Sequence, residues 1–279
     1  DRAPYTWGRV RGLKKGRAIF TQPPMPIKCA GAPQKAMYLS GDAWLRNGVL
    51  KDIDIHFNNA GGVLFGVKDY VPALEGYVKK YGAHLNFFHN LVAVDGEARK
   101  AWFDVAKPDT PVERVEMRFD MMHVCPPPTA PDFLRVAPLA HPAGWVDGDQ
   151  STLRHTSYDN IWSLGDVMNA PNAKTAAAAR IQAPIVAENL AADIEGKAPV
   201  AQYNGYGSCP LTVERGKIVL AEFGYGGAMR RGCPKCLLDG TKPSRTAWLL
   251  KEKILPPIYR KAMLKGREWM AKPEKISAR

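Results

Sequence analysis

Apolar and polar positions in the first half of the chain repeat with two periods. Ile53, Ile55 and Phe57 alternate with polar neighbours, which is typical of a strand with one buried face. Residues 70–81 place apolar side chains at helical spacing instead. The predicted strands are 18–21, 52–57, 84–88 and 91–94, and the predicted helices are 34–44 and 70–81. Strand, glycine-containing turn, helix and strand form a βαβ unit, so the pattern predicts an α/β fold.

The segment of residues 160–166 predicts a short strand that is covered on both faces, because Ile161, Trp162 and Leu164 form an apolar run. Asp166 then lies at the carboxyl end of that strand, where open α/β sheets bind their ligands. Gly165 lets a ligand approach the backbone closely. The residues alone leave two interpretations open, an ordinary βα turn or a ligand-binding turn.

A helix is predicted to follow this turn, with Thr175 as its N-cap. Residues 176–179 are all alanine, so the first turn leaves room for a flat ring. Its N-terminus favours an anion through the aligned peptide dipoles. Pro184 is expected to kink this helix, and residues 195–197 to end it.

Three other stretches carry weaker patterns. Residues 1–17 are basic and lack an apolar period, which predicts a connection. Residues 101–105 and 116–124 predict an antiparallel pair of strands. Residues 246–255 and 258–270 predict two amphipathic helices split by the proline pair at 256–257.

Composition is that of a soluble globular protein, with 46% hydrophobic and 24% charged residues among 279. No apolar run is long enough to span a bilayer, and no signal peptide is visible. The chain does not begin with Met, so residues upstream are expected. The net charge is +12; residues 242–279 hold eleven Lys or Arg and three Asp or Glu, a net +8. The apolar residues of this basic tail favour an anionic membrane surface over nucleic acid as its partner.

The five cysteines are too few for a disulfide-stapled fold of this size. Cys29 and Cys209 lie in rigid loops rich in Pro or Gly, and on spacing alone inert buried thiols are the favoured interpretation. Cys125 is interpreted as a packing residue. Cys233 and Cys236 form a C-x-x-C pair without a second pair, which favours a labile disulfide over zinc. No histidine has the spacing of a metal site, so no metal is expected.

Specific stretches of the chain resemble the mitochondrial-type sulfide:quinone oxidoreductases, which are FAD-dependent flavoproteins with two dinucleotide-binding domains. The cysteine-containing stretches are the specific ones, whereas the Gly165–Asp166 pair is shared with other such flavoproteins. The matching stretches are 18–21, 26–35, 65–68, 144–147, 165–175, 203–210 and 220–223.

This resemblance implies a glutathione-reductase-like α/β fold that lacks the first βαβ unit of the FAD domain. Residues 1–125 would form the second, NAD-like dinucleotide domain, which this family does not use for a nicotinamide. Residues 126–199 would form the returning part of the FAD domain. Residues 200–279 would hold a redox cysteine and amphipathic membrane-associating helices.

The resemblance also implies the site. Cys209 would receive sulfide and carry the persulfide, and Cys29 would be the sulfur that faces the flavin, with Lys28 favouring its thiolate. The expected contacts with FAD come from Gly165, Asp166, Lys174 and Thr175.

The expected reaction oxidises hydrogen sulfide to sulfane sulfur and passes two electrons to ubiquinone or another membrane quinone. The sulfur acceptor would be a thiol, sulfite or cyanide. The expected location is peripheral, on a bacterial or mitochondrial inner membrane.

The first FAD-binding motif of the family, G-x-G-x-x-G, has no counterpart in the chain. A truncated, non-catalytic fragment of the enzyme is therefore an alternative. A flavocytochrome-type sulfide dehydrogenase and a type II NADH:quinone oxidoreductase are two others. The basic tail argues against the first of these, and the cysteine pair against the second.

Overall fold

The structure is a computed structural model that describes residues 2–171, 174–232, 238–267 and 271–276. The chain divides into two compact units. The first comprises Asp1–Pro127, Pro210–Leu220 and Leu238–Trp248, and the second Pro128–Cys209, Ala221–Leu237 and Leu249–Arg279. The domain boundaries expected at 125 and 199 remain predictions.

The first unit is built on a parallel sheet. Its elements along residues 1–127 are α1 (Ala3–Gly12), β1 (Gly16–Gln22), α2 (Ala32–Arg46), β2 (Ile53–Asn59), α3 (Val71–Tyr81), β3 (His84–Phe87), β4 (His89–Asp95), β5 (Lys100–Val105), β6 (Glu113–Arg118) and β7 (Met121–His123). The strand order is β3-β2-β1-β7 with all pairs parallel, and Phe20 lies opposite Phe57. The order 3-2-1 is that of a dinucleotide-binding half, as the predicted βαβ unit requires.

Neighbouring residues of β1 face opposite sides of this sheet. Phe20 contacts Trp44 of α2, with ring centroids 6.3 Å apart. Ile19 packs instead against Ala101 and Phe103 of β5, which belongs to the antiparallel sheet β4-β5-β6. Because side chains alternate along a strand, α2 and the antiparallel sheet cover opposite faces. Both layers bury large apolar side chains completely, which places the core of the unit on both sides of β1 and β2.

Two expectations about this unit were wrong. Residues 1–17 contain α1, which was missed because Val10 is its single buried side chain. The helix is held by a hydrogen bond of 2.8 Å from the indole N–H of Trp44 to the Val10 carbonyl. The stretch 116–124 is not one strand, since β6 pairs antiparallel with β5 whereas β7 pairs parallel with β1.

In the rest of the chain, the elements are α4 (Asp132–Arg135), α5 (Ala176–Ile194), β8 (Ala201–Gln202), β9 (Gly207–Glu214), β10 (Lys217–Phe223), α6 (Arg245–Leu249), α7 (Leu255–Lys261) and β11 (Glu274–Lys275). The predicted strand at 160–166 is replaced by an isolated antiparallel bridge between Arg154 and Trp162 and a 3₁₀ turn, Gly165–Val167. A parallel bridge between Val146 and Met168 continues beyond that turn. The apolar run is therefore held by single bridges rather than by a sheet.

The C-terminal prolines begin a helix instead of splitting two. Pro256 and Pro257 lie in the first turn of α7, where the missing N–H groups need no intrahelical partner. A π-helical turn, Leu250–Ile254, joins α6 to α7, and a 3₁₀ turn, Met263–Lys265, follows. Residues 268–270, at the end of the second predicted helix, lie outside the described residues, as do Cys233 and Cys236. Within the described ranges, the helices are too short or too polar to cross a bilayer.

Candidate functional site

Cys29 lies in the connection between β1 and α2, beyond the carboxyl edge of the parallel sheet. Its backbone has φ of +59°, a left-handed conformation that few residues other than glycine adopt. A hydrogen bond of 2.8 Å from the Ala32 N–H to the Cys29 carbonyl closes the turn into α2. The side chain is half-buried, so the thiol is both fixed in position and partly accessible.

Lys35, in the first turns of α2, places its ammonium beside this thiol. Its Nζ lies 3.6 Å from the Cys29 Sγ. A cation at this distance favours a thiolate over a thiol. The sequence suggested Lys28 for this role, and that stays a prediction; the position of Lys35 follows from the tight turn, which returns α2 towards Cys29.

Cys209 lies on β9 and is fully buried. The chain that leads to it, in the second unit, is held by phenolic hydrogen bonds. The Tyr203 hydroxyl donates to the Tyr206 carbonyl at 2.6 Å, and the Tyr206 hydroxyl donates to Glu222 Oε1 at 2.6 Å. Burial, followed by the Glu222 carboxylate, raises the pKa of Tyr206, so its hydroxyl remains a donor. The segment before Cys209 is therefore fixed by hydrogen bonds, but Cys209 itself lies in a strand and not in the loop that the glycine and proline content predicted.

Cys29 belongs to the first unit and Cys209 is the last residue of a segment of the second. The pairing of the two sulfurs stays a prediction.

The Gly165–Asp166 turn is fixed to helix α5. The Gly165 N–H donates to Gln182 Oε1 at 2.6 Å, and Gln182 is buried. Gly165 has φ of +70°, so a glycine is required for this turn. Asp166 is exposed at the end of the turn. Gln182 was missed from sequence, because its distance of seventeen residues from Gly165 gives no local signal.

Thr175 is the N-cap of α5, as predicted. Its hydroxyl accepts a hydrogen bond of 3.1 Å from the Ala178 N–H. The N–H groups of Ala176 and Ala177 come earlier in the first turn, where the helix offers no acceptor. Ala176 is exposed and Ala177 half-buried, so this end of the helix is accessible to an anion.

Lys174 is buried next to this helix start. Its ammonium donates to the Met168 carbonyl and lies 4.3 Å from the ring centroid of Trp145. The cation is thus held by a carbonyl and an aromatic face. Its predicted contact with a flavin ring stays a prediction.

Three of the four residues expected to contact FAD line one narrow cleft. The cleft has a volume of ≈ 10 Å³, room for about one water, and is lined by Gly165, Ala170, Lys174, Thr175, Ala178, Gln182 and Tyr203. The positive-φ glycine and the bare helix end would suit close approach by a dinucleotide. The contacts of Gly165, Asp166, Lys174 and Thr175 with a cofactor stay a prediction.

Cys125 has a different environment. Burial raises the pKa of its thiol to about 11, and burial also lowers the pKa of the neighbouring His123. Its Sγ lies 3.9 Å from His123 Nδ1. A neutral thiol beside a neutral imidazole is unreactive, which supports its interpretation as a packing residue.

The chain is similar in sequence to mitochondrial sulfide:quinone oxidoreductases. It is 39% identical to the mouse protein over 261 residues, which cover 94% of the chain and 57% of that relative. It is 40% identical to the Dictyostelium discoideum protein over 274 residues, which cover 98% of the chain and 59% of that relative. The chain thus spans less than two thirds of the length of these relatives. No family model matches the sequence.

Solved structures support the α/β fold. The sulfide:quinone oxidoreductase of Aquifex aeolicus superposes with a TM-score of 0.65 at 12% identity, covering 98% of the chain and 67% of the other. A chain of the Tetrahymena thermophila mitochondrial ATP synthase superposes with a TM-score of 0.74 at 20% identity, covering 93% of the chain and 62% of the other. At these identities the likeness concerns the fold alone, and it confirms the predicted α/β fold.

Proposed function

We propose that this chain takes part in the oxidation of hydrogen sulfide with a membrane quinone as electron acceptor. The proposal rests on sequence similarity to the mitochondrial sulfide:quinone oxidoreductases, which covers nearly the whole of this chain. The observation that carries the proposal is the 37–40% identity to three such relatives. It is supported by a fixed, half-buried Cys29 with an ammonium beside its sulfur.

The proposed chemistry of the sulfurs starts from a disulfide between Cys29 and Cys209. Hydrosulfide attacks the Cys209 sulfur, the S–S bond breaks, and Cys209 is left as a persulfide while Cys29 leaves as a thiolate. Lys35 stabilises that leaving thiolate through its ammonium. The terminal sulfur of the persulfide then passes to a thiol, sulfite or cyanide, which leaves Cys209 as a thiolate. The two thiolates re-form the disulfide by giving up two electrons, which bound FAD would accept. Because Cys209 is fully buried, hydrosulfide needs an opening of the segment around β9.

The cofactor of this proposal is FAD, held by the residues of the Gly165 turn and the start of α5. Bound FAD would supply the two-electron acceptor that passes the electrons on to a quinone. The exposed Asp166 carboxylate would accept hydrogen bonds from hydroxyl groups of the cofactor. The first-turn amides of α5 would stabilise negative charge on it.

Location on a mitochondrial inner membrane surface is proposed from the mitochondrial relatives and from the tail. Among its described residues, the tail exposes five large apolar side chains, those of Leu249, Ile254, Tyr259, Leu264 and Ile276. Exposed cations lie between them in the sequence, at Lys251, Lys253, Arg260, Lys261 and Lys265. Apolar side chains with a basic rim suit the headgroup region of an anionic bilayer, where a quinone is collected.

The cysteine proposal is tested with the FAD-reconstituted protein. Sulfide should bleach the visible flavin absorbance of the parent, and Cys29→Ser and Cys209→Ser should each abolish the bleaching. Cys125→Ser is the matched control and should bleach like the parent. Full bleaching in Cys29→Ser or Cys209→Ser refutes the mechanism.

The membrane proposal is tested by sedimentation with liposomes containing anionic lipid. The pair of changes Ile254→Ser and Leu264→Ser should reduce the bound fraction. Val136→Ser removes an even more exposed apolar side chain outside the tail and serves as the control. Undiminished binding of the tail variant argues against a membrane role for this surface.

A further inference from the structure

Three metal-ligating side chains meet on the parallel sheet of the first unit, away from the cysteines. Asp54 and His56 lie two residues apart on β2, so they face the same side. His84, the first residue of β3, lies directly opposite His56 in the parallel pair. The ligating atoms of the three residues all lie within 4.8 Å of one another. The spacing of histidines along the sequence does not show this cluster, because β2 and β3 bring together positions 28 residues apart.

We infer that Asp54, His56 and His84 form a binding site for a divalent transition-metal ion, with Zn²⁺ as the simplest occupant. Two imidazoles and one carboxylate are ligands that zinc prefers, and a fourth position is left for water. His84 is exposed and can turn its ring, whereas His56 is mostly covered and fixed.

The distances suit this assignment. His56 Nε2 lies 3.0 Å from Asp54 Oδ2, and His84 Nε2 lies 3.4 Å from Asp54 Oδ1. Ligands at about 2.0–2.1 Å from a tetrahedral zinc are about 3.3–3.4 Å apart. The pair of His84 Nε2 and Asp54 Oδ1 is therefore already near the spacing of two corners of such a site, whereas His56 Nε2 must leave its hydrogen bond with Oδ2 to bind the ion. The rings of His56 and His84 are stacked with centroids 4.9 Å apart, so the His84 ring must rotate to bring the two ligating nitrogens to the same spacing.

The charges around the cluster prepare the ligands. Both the Arg17 guanidinium and the His56 imidazole lie within hydrogen-bond distance of Asp54 Oδ2. Arg17 Nε donates to Asp54 Oδ2 at 2.8 Å, which orients the carboxylate and leaves Oδ1 for an ion. The guanidinium repels a cation, so we expect a modest affinity.

A groove of ≈ 430 Å³ beside Asp54 and Arg17 gives an ion a route to the site. Asn86 lies behind it, with its Nδ2 3.1 Å from His56 Nδ1. A metal on His56 Nε2 moves the ring proton to Nδ1, so Asn86 must present its amide oxygen instead. An acceptor fixed at position 86 should therefore favour the metal-bound tautomer.

The test is a titration of the reduced 279-residue chain with ZnCl₂ after its thiols have been blocked with N-ethylmaleimide, followed by calorimetry. We expect one site that His84→Ala weakens at least tenfold, that Asp54→Asn also weakens, and that Asn86→Asp tightens. His141→Ala removes an exposed histidine elsewhere and should bind like the parent. Circular dichroism of each variant verifies its folding.

Equal Zn²⁺ binding by the parent and a folded His84→Ala variant overturns the assignment, as does the absence of any zinc binding by the parent. Equal loss of binding in His141→Ala also overturns it, because the effect would then not be specific to the cluster. Since thiols are blocked and no sulfide is present, failure here leaves the proposed sulfide oxidation untouched.

Discussion

Replacing Lys35 by glutamine removes the ammonium beside Cys29 while keeping a side chain of similar length. Two unit charges 3.6 Å apart interact by about 1.2 kcal/mol in bulk water and about 4.6 kcal/mol at an effective dielectric constant of 20. Both residues are partly exposed, so water screens the two charges and the interaction energy for bulk water applies. It corresponds to a rise of about 0.8 pH unit in the midpoint of the pH profile for reaction of the thiol.

The assay is alkylation of the reduced protein by iodoacetamide, with the Cys29 peptide quantified by mass spectrometry across a range of pH. A more basic thiolate is also more nucleophilic, with a Brønsted coefficient of about 0.4–0.5. The rate below the midpoint should therefore fall about threefold in Lys35→Gln, while the plateau at high pH should rise about twofold. Crossing profiles of this kind distinguish a lost charge from a change in access, which scales the rate equally at every pH.

Two further variants make the experiment specific to position 35. Lys35→Arg keeps the charge and should retain the midpoint of the parent. Lys28→Gln tests the residue that the sequence suggested. If Lys35→Gln keeps the midpoint of the parent, the contact of 3.6 Å has no electrostatic effect and the proposed stabilisation of the leaving thiolate is refuted.

Three other measurements follow from the structure. Thr175→Ala should lower the free energy of unfolding in urea by about 1 kcal/mol, because it removes the acceptor for the Ala178 N–H, whereas Thr175→Ser should have little effect. Cys125, whose pKa is raised to about 11, should react with iodoacetamide at pH 8 far more slowly in the folded than in the urea-unfolded protein; equal rates would contradict the raised pKa and the partly buried placement of this thiol. The lowered pKa values of Asp54 and His56 mean that each contributes stability above its unfolded pKa, which is lost as the pH falls through its folded value. The unfolding free energy of the parent should therefore fall on acidification below about pH 6.5, and less steeply in His56→Gln; an identical slope would exclude His56 as a cause.

Local periodicity was sufficient for the elements whose burial is one-sided. The alternation along β2 and the apolar face of α3, with Tyr70, Leu74, Tyr77 and Val78 buried, were predicted correctly. So was the cap at Thr175, because a hydroxyl before an alanine run has a local cause. These features depend on contacts within a few residues of each other.

The remaining features depend on contacts distant in sequence. Helix α1 buries one side chain and is fixed by Trp44, which no period in residues 1–17 reveals. The proline pair before Ile258 predicts a break between two helices. Prolines are also suited to the first turn of a helix, and in the structure both lie in the first turn of α7. Gln182 and His84 act through partners 17 and 28 residues away, so helix position and strand register had to be known first.

Cys29 lies in the loop that follows the first strand of the parallel sheet, and this position gives the proposed sulfur chemistry a structural reason. In open α/β sheets, ligands bind beyond the carboxyl ends of the strands, and the loop between the first strand and its helix commonly holds a phosphate. Here that loop holds a thiol with positive φ, and it lacks the glycine fingerprint of a nucleotide site. The start of α2 and the ammonium of Lys35 both favour negative charge at this point. The field that stabilises a phosphate in a dinucleotide domain therefore suits a cysteine thiolate equally well.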